Sequence, residues 1–120
     1  MTVIVRVSRS FKAAAKPLLK KFPSLRTDLM KLEEELVANP TLGTPLGHNA
    51  YKIRLKITSK GKGKSGGGRV ISLVEGSMIA QVEARENLTT VTLLMIYDKS
   101  DTATITDKEL KILINAFFCE

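Results

Sequence analysis

The sequence predicts an α+β fold in the order β-α-α-β-β-β-α. In that fold two N-terminal helices pack on one face of an antiparallel, twisted β-sheet and a C-terminal helix closes the chain. Three patterns carry this reading: two successive helical stripes near the N-terminus, a strictly alternating segment over 51–58, and a capped helical stripe at the end. The 120 residues, 43% of them hydrophobic, suffice for one domain with its own core. No repeat or linker divides 1–120.

Val3, Val5 and Val7 alternate through 2–7, the period of a short strand. Ser8 or Ser10 can cap the following helix, whose apolar residues are Phe11, Ala14, Ala15, Leu18 and Leu19. Pro17 lacks the N–H that a helix interior needs, which predicts a kink or a restart there. Lys20 and Lys21 suit the negative end of the helix dipole. The short Phe22-Pro23 link predicts a helical hairpin. Leu25, Leu29, Leu32 and Leu36 recur at helical spacing, Val37 widens the stripe, and Glu33, Glu34 and Glu35 face outward. Asn39-Pro40 ends this helix, and Gly43, Pro45 and Gly47 mark 41–49 as a loop.

Over 51–58, Tyr51, Ile53, Leu55 and Ile57 point one way; Lys52, Arg54, Lys56 and Thr58 point the other. Period two places the three cations on one sheet face, roughly 6.5–7 Å apart along the strand. The glycine- and lysine-rich stretch 59–68 reads as a connection, and 70–74 as the next strand. Residues 78–82 extend that strand past a bulge at Gly76 or form a hairpin arm of their own. The strongly apolar 90–97 belongs in the middle of the sheet. Thr106 and Glu109 form a T-x-x-E capping box, Asp107 favours the helix N-terminus, and Leu110, Leu113, Ile114 and Phe117 make the apolar side. The closing helix is expected beside the first two or at the sheet edge, leaving the cationic face open.

The formal net charge is +7. Seven of the 19 basic residues (Lys52, Arg54, Lys56, Lys60, Lys62, Lys64 and Arg69) and none of the 12 acids fall within 52–69, so this segment carries the whole excess. Such a concentration marks a surface for polyanions, most often nucleic acid. A solvated basic loop is the plainer alternative, although the regular alternation of 51–58 argues against it. No apolar run reaches a membrane span, no amphipathic basic helix accompanies the charges, and 1–9 lacks the build of a signal peptide. The single cysteine, Cys119, has no second thiol for an internal disulfide and reads as a bystander. Together these predict a cytoplasmic protein with no membrane attachment.

Four segments resemble those of a known toxin superfamily. Tyr51-Lys52-Ile53-Arg54, followed by Ser59-Lys60-Gly61-Lys62-Gly63-Lys64-Ser65-Gly66-Gly67-Gly68-Arg69-Val70-Ile71, resembles the HigB-like branch of the RelE/ParE toxin superfamily. Leu93-Leu94-Met95-Ile96-Tyr97-Asp98-Lys99-Ser100 is similar to that family's strand end, and Ile105-Thr106-Asp107-Lys108-Glu109-Leu110 to its helix start. Asn39-Pro40-Thr41-Leu42-Gly43-Thr44-Pro45-Leu46 is similar to the loop before the basic strand. The order is the family's, and the glycine-lysine stretch is its most specific part. The chain departs from the pattern after Ile71, where relatives often carry aromatic residues and this chain has Ser72 and Leu73. The resemblance implies a RelE-like toxin of a type II toxin-antitoxin system, held inactive by a cognate antitoxin. Freed toxins of this type enter the ribosomal A site and cleave mRNA there, inhibiting translation.

RNA self-cleavage requires deprotonation of the 2′-hydroxyl, stabilisation of the charged phosphorane-like transition state, and departure of the 5′-oxygen. The single histidine, His48, sits in a Gly-flanked loop and cannot be both acid and base. The resemblance instead implies cations and a tyrosine as catalytic residues. Arg54 and Arg69 suit bidentate contacts to the scissile phosphate. Lys52 is the candidate base, provided neighbouring cations disfavour its protonated form. Tyr97 would orient the 2′-hydroxyl or stack on a base, with core packing as its plainer role. Lys99 is a candidate acid or phosphate ligand, or an ordinary turn residue. Lys56, Lys60, Lys62 and Lys64 would bind RNA electrostatically. Asp98, Asp101 and Asp107 lie in a turn and a helix cap without a histidine, so neither metal nor cofactor is expected. The expected partners are the antitoxin and the ribosome with its mRNA and ribosomal RNA. A ParE-like, non-nucleolytic toxin acting on gyrase and a plain RNA-binding module are the alternatives.

Overall fold

The first strand, β1 (Thr2–Val7), runs through Ser8 directly into α1 (Arg9–Lys21). The computed structural model describes residues 2–61, 67–76, 88–100 and 104–120. The expected strand at 78–82 and two of the candidate lysines, Lys62 and Lys64, lie outside those residues. Helix α2 (Leu25–Ala38) follows, then strands β2 (Thr44–Gly47) and β3 (Ala50–Leu55) and a short 3-10 turn over Thr58–Lys60. Strands β4 (Gly68–Gly76) and β5 (Leu88–Asp98) precede the closing helix α3 (Asp107–Phe118). The five strands form one sheet in the order β1-β5-β4-β3-β2, so the α+β class holds. No helix among the described residues is long and apolar enough to cross a membrane.

The sheet is mixed rather than antiparallel. β2-β3, β3-β4 and β4-β5 are antiparallel, but β1 pairs with β5 in parallel, from Thr2 opposite Leu88 to Val7 opposite Leu93. A strand that joins the sheet by a hairpin must be antiparallel to its neighbour. One that joins through helices can lie either way, and period-two alternation carries no information on the choice. Ser8 fastens the junction: its N–H donates to Leu93 O at 3.0 Å, and its hydroxyl donates to Leu94 O at 3.2 Å and accepts from the Phe11 N–H at 3.1 Å. The same side chain therefore caps α1 and holds β5.

The segment 41–49, expected to be a loop, contains β2. Pro45 is compatible with a strand because β2 lies at the sheet edge, where a missing N–H breaks no ladder. The hairpin to β3 turns on His48 and Asn49, both left-handed at φ 55° and 61°. Gly43 has φ 108°, and a Cβ there would come within 2.5 Å of Lys52 O, so no other residue fits without displacing β3. Helix α1 does not restart at Pro17; it continues to Lys21. Pro17 and Ala13 are both exposed, so the Ala13 carbonyl that loses its donor can be hydrated.

Both faces of the sheet are covered. On one, Phe11, Ala15, Phe22, Leu25, Leu32 and Leu36 from α1 and α2 meet Ile53, Leu55, Ile57, Val70, Val91, Leu93 and Ile96. Leu25, Leu36 and Ile57 are fully buried, each contributing about 1.5–3 kcal/mol. Val37, expected to widen the helical stripe, is half exposed instead. On the other face α3 sets Leu110, with Ile105, Ile114 and Phe117 around it, over Ile71, Leu73, Leu94, Met95 and Tyr97. This corrects the expected place of the closing helix, which covers part of the face foreseen as open. The outward residues of β4 and β5 are themselves apolar, and a bare sheet face of that composition would be unstable in water.

Candidate nucleic-acid interface

β3 performs the sorting that its alternation predicts. Ile53 and Leu55 are buried toward the helices, while Lys52 and Arg54 lie on the opposite face. The strand itself stops at Leu55 rather than running to residue 58, although Ile57 is still buried and Lys56 exposed beyond it. Across β4, Arg54 is paired with Arg69, and Arg69 across β5 with Tyr97. These three candidate residues thus form one cross-strand row, with Cβ atoms of direct neighbours about 4.5–5.5 Å apart. The next row is Lys52, Ile71 and Met95.

A bulge in β5 is what brings Tyr97 to this row. Ile71 pairs with Met95 but Ser72 with Leu93, which leaves Leu94 without an opposite residue. Before the bulge the odd-numbered residues Val91 and Leu93 face the helices; after it the even-numbered Ile96 does. Leu94, Met95 and Tyr97 consequently share the other face. In an unbroken strand Tyr97 would point into the α1/α2 core, away from both arginines. The continuous apolar run of 90–97 gave no sign of this, because a bulge adds no distinctive residue.

Two like charges placed directly opposite on adjacent strands repel. Arg54 is exposed, whereas Arg69 is only 5% exposed and donates from Nη1 to Gly68 O at 3.0 Å. Guanidinium groups are suited to phosphate oxygens, and of the two only Arg54 is open to solvent. Tyr97 is half buried and lines a cleft of about 350 Å³ with Met95, Ile105, Glu109, Ile112 and Leu113. Burial pushes its phenol above the ordinary 10.0; Arg69 opposes the rise and Glu109 adds to it. The phenol is therefore neutral at physiological pH, suited to donating a hydrogen bond or stacking rather than to taking a proton.

The remaining candidates divide. Lys56 is exposed beyond β3 and lines, with Arg54, a groove of about 210 Å³ whose other wall includes Lys31, Leu32 and Glu35 of α2. Lys99 is exposed in the turn after β5, two residues from Tyr97, and its N–H donates to Gly67 O at 3.2 Å. Lys60, expected to grip RNA, is turned inward. Its Nζ lies 2.6 Å from Asp98 Oδ1 and 3.1 Å from Ser100 Oγ, over the Phe22 ring. A buried carboxylate needs a cation, and Lys60 is within reach. His48 is no part of the row; its Nε2 is 3.4 Å from Asp107 Oδ1 at the start of α3.

Sequence reasoning missed two buried carboxylates. Asp28 accepts from the Thr58 hydroxyl at 2.6 Å, the Thr58 N–H at 3.0 Å and the Ser24 hydroxyl at 2.7 Å, anchoring the turn after β3 to α2. Burial raises its pKa, but those bonds and Lys31 outweigh burial and hold it below 3.8. Asp98 behaves alike: burial raises it, while Lys60, the Ser100 N–H and Lys21 bring it below 3.8. A signal existed for Asp28, since it falls on the Leu25-Leu32-Leu36 stripe at helical spacing. Among the described residues no three His, Cys, Asp or Glu side chains come together as a metal ion would require. The chain matches no family model and no curated protein.

Proposed function

We propose that this protein is a RelE/HigB-type toxin, a metal-independent endoribonuclease that cuts mRNA in the ribosomal A site. The observation that carries this reading is the Arg54–Arg69–Tyr97 row, in which Arg69 on the middle of three adjacent strands is paired with Arg54 on one side and Tyr97 on the other. Arg54 would hold the scissile phosphate from the solvent side. Arg69, in the less polar interior, would exert a stronger field on the developing phosphorane charge. The 2′-oxygen attacks phosphorus, its proton passing to Lys52 in its uncharged amine form, while the bond from phosphorus to the 5′-oxygen breaks and that oxygen takes a proton from the Lys99 ammonium. Tyr97 would orient the 2′-hydroxyl or stack on the adjoining base. Exposed cations of the same region, with Lys62 and Lys64 from the basic segment, would supply affinity for ribosomal RNA. A cognate antitoxin would present acidic or helical segments to this face.

The deciding experiment is mapping of transcript 5′ ends after controlled expression. New ends inside open reading frames are expected with the unsubstituted chain. Arg69→Ala should reduce them by roughly 100-fold or more, the usual consequence of removing one transition-state donor. Undiminished cleavage by Arg69→Ala would refute the assigned site. The burial of Arg69 and of the Tyr97 hydroxyl favours a second reading, an RNA-binding module that uses only its exposed cations. Ribosome binding without any new 5′ ends would select it.

A further inference from the structure

The chain leaves β3 and returns to β4 through flanks that are both tied to the end of β5. On the first flank Lys60 is bonded to Asp98 and Ser100; its side chain is 8% exposed and that of Asp98 3%. On the second, Gly67 O accepts the Lys99 N–H. Asp98 stands opposite Gly68 across β4 and β5, one residue from the row that carries Arg69 and Tyr97. Its carboxylate also accepts the Ser100 N–H at 3.0 Å, and Lys21 Nζ approaches Oδ2 at 3.9 Å. The strand alternation turns this carboxylate toward the α1/α2 side, away from the cationic row. Asp98 thus touches no group that would meet RNA.

A buried ion pair is a poor source of stability, since well-packed apolar residues commonly replace one at no loss. What it supplies is a fixed distance between two chain segments. We infer that Asp98 is a positioning residue for the cleavage reaction: acting through Lys60, it clamps the first flank of the basic segment to the end of β5, beside the Lys99–Gly67 bond that ties the second, and so keeps Arg69 and Tyr97 in register. The inference rests on the reading of that row as the cleavage site.

The test compares the full chain with Asp98→Asn, Lys60→Met and the double variant. Three quantities are read: affinity for programmed ribosomes, the single-turnover rate of mRNA cleavage on them, and hydrogen exchange at the Lys99 amide. Each single variant should slow cleavage at least tenfold, leave ribosome affinity within twofold, and speed Lys99 exchange at least tenfold. The double variant should be no slower than the worse single one, because both remove the same contact. If a single variant fails to fold, Asp98→Leu with Lys60→Leu keeps the site filled without charge and should fold yet cleave slowly. Unchanged cleavage in a folded variant, additive losses, or a rate loss matched by lost affinity would overturn the inference. Should the unsubstituted chain cut no mRNA, the functional reading fails by itself. Lys99 exchange then decides the clamp alone, and unchanged exchange removes it.

Discussion

Ser8 joins three parts of the protein with one small side chain. Its hydroxyl caps α1, reaches the carbonyl of the bulged Leu94, and is buried with its backbone N–H on Leu93 O. Ser8→Ala removes the cap and the bond to the bulge together. A loss of about 1–2 kcal/mol is expected, measured as a lower urea midpoint at unchanged slope. A loss below a few tenths would mean that water replaces both bonds. The capping role was readable in the sequence, where Ser8 precedes an apolar stripe; the bond to β5 was not, since it spans 86 residues. The same division applies to Lys60. Its charge was visible, but nothing local distinguishes a lysine that greets solvent from one that neutralises a buried aspartate 38 residues away.

At the scale of elements, the β2-β3 hairpin turns through two left-handed residues that are not glycine, each a strained conformation for an L-residue with a Cβ. Asn49→Gly should therefore raise stability by about 0.5–1 kcal/mol, seen as a higher urea midpoint, because Asn-Gly and similar pairs suit such a turn. Destabilisation would show that the Asn49 side chain makes a contribution larger than its strain. Helices α1, α2 and α3 were legible because each has a capping residue or proline stop and an apolar stripe. β2 was not, because four residues with Gly and Pro resemble a loop until the edge position excuses the proline. The bulge of β5 belongs to this scale too: it turns Tyr97 from the core to the cationic face.

At the scale of the whole molecule, two buried carboxylates tie the turn after β3 to α2 and to the end of β5, and both are held charged with pKa values below 3.8. A folded pKa below the unfolded one means that the stabilisation is complete above the unfolded value and is lost as pH falls through the folded one. Stability should therefore drop steeply below about pH 4, the ordinary carboxylate range. Asp28→Asn and Asp98→Asn should each be less stable at pH 7 and lose less on acidification, as followed by urea melts from pH 7 to pH 2. Acid limbs identical to that of the unsubstituted chain would show that neither group is a source of the pH dependence.

The α+β class, the three helices, the basic strand with its sorted faces, and the location of the entire charge excess were all legible in the order of residues. These follow from periodicity, caps and composition, which act over one or two turns of chain. Four features emerge only in the folded chain: β1 lies parallel to β5, α3 packs on the second sheet face, Lys60 points inward, and Arg54, Arg69 and Tyr97 share a row. Each of those depends on pairing between residues distant in sequence, where one extra residue in a strand reverses the direction of every side chain beyond it.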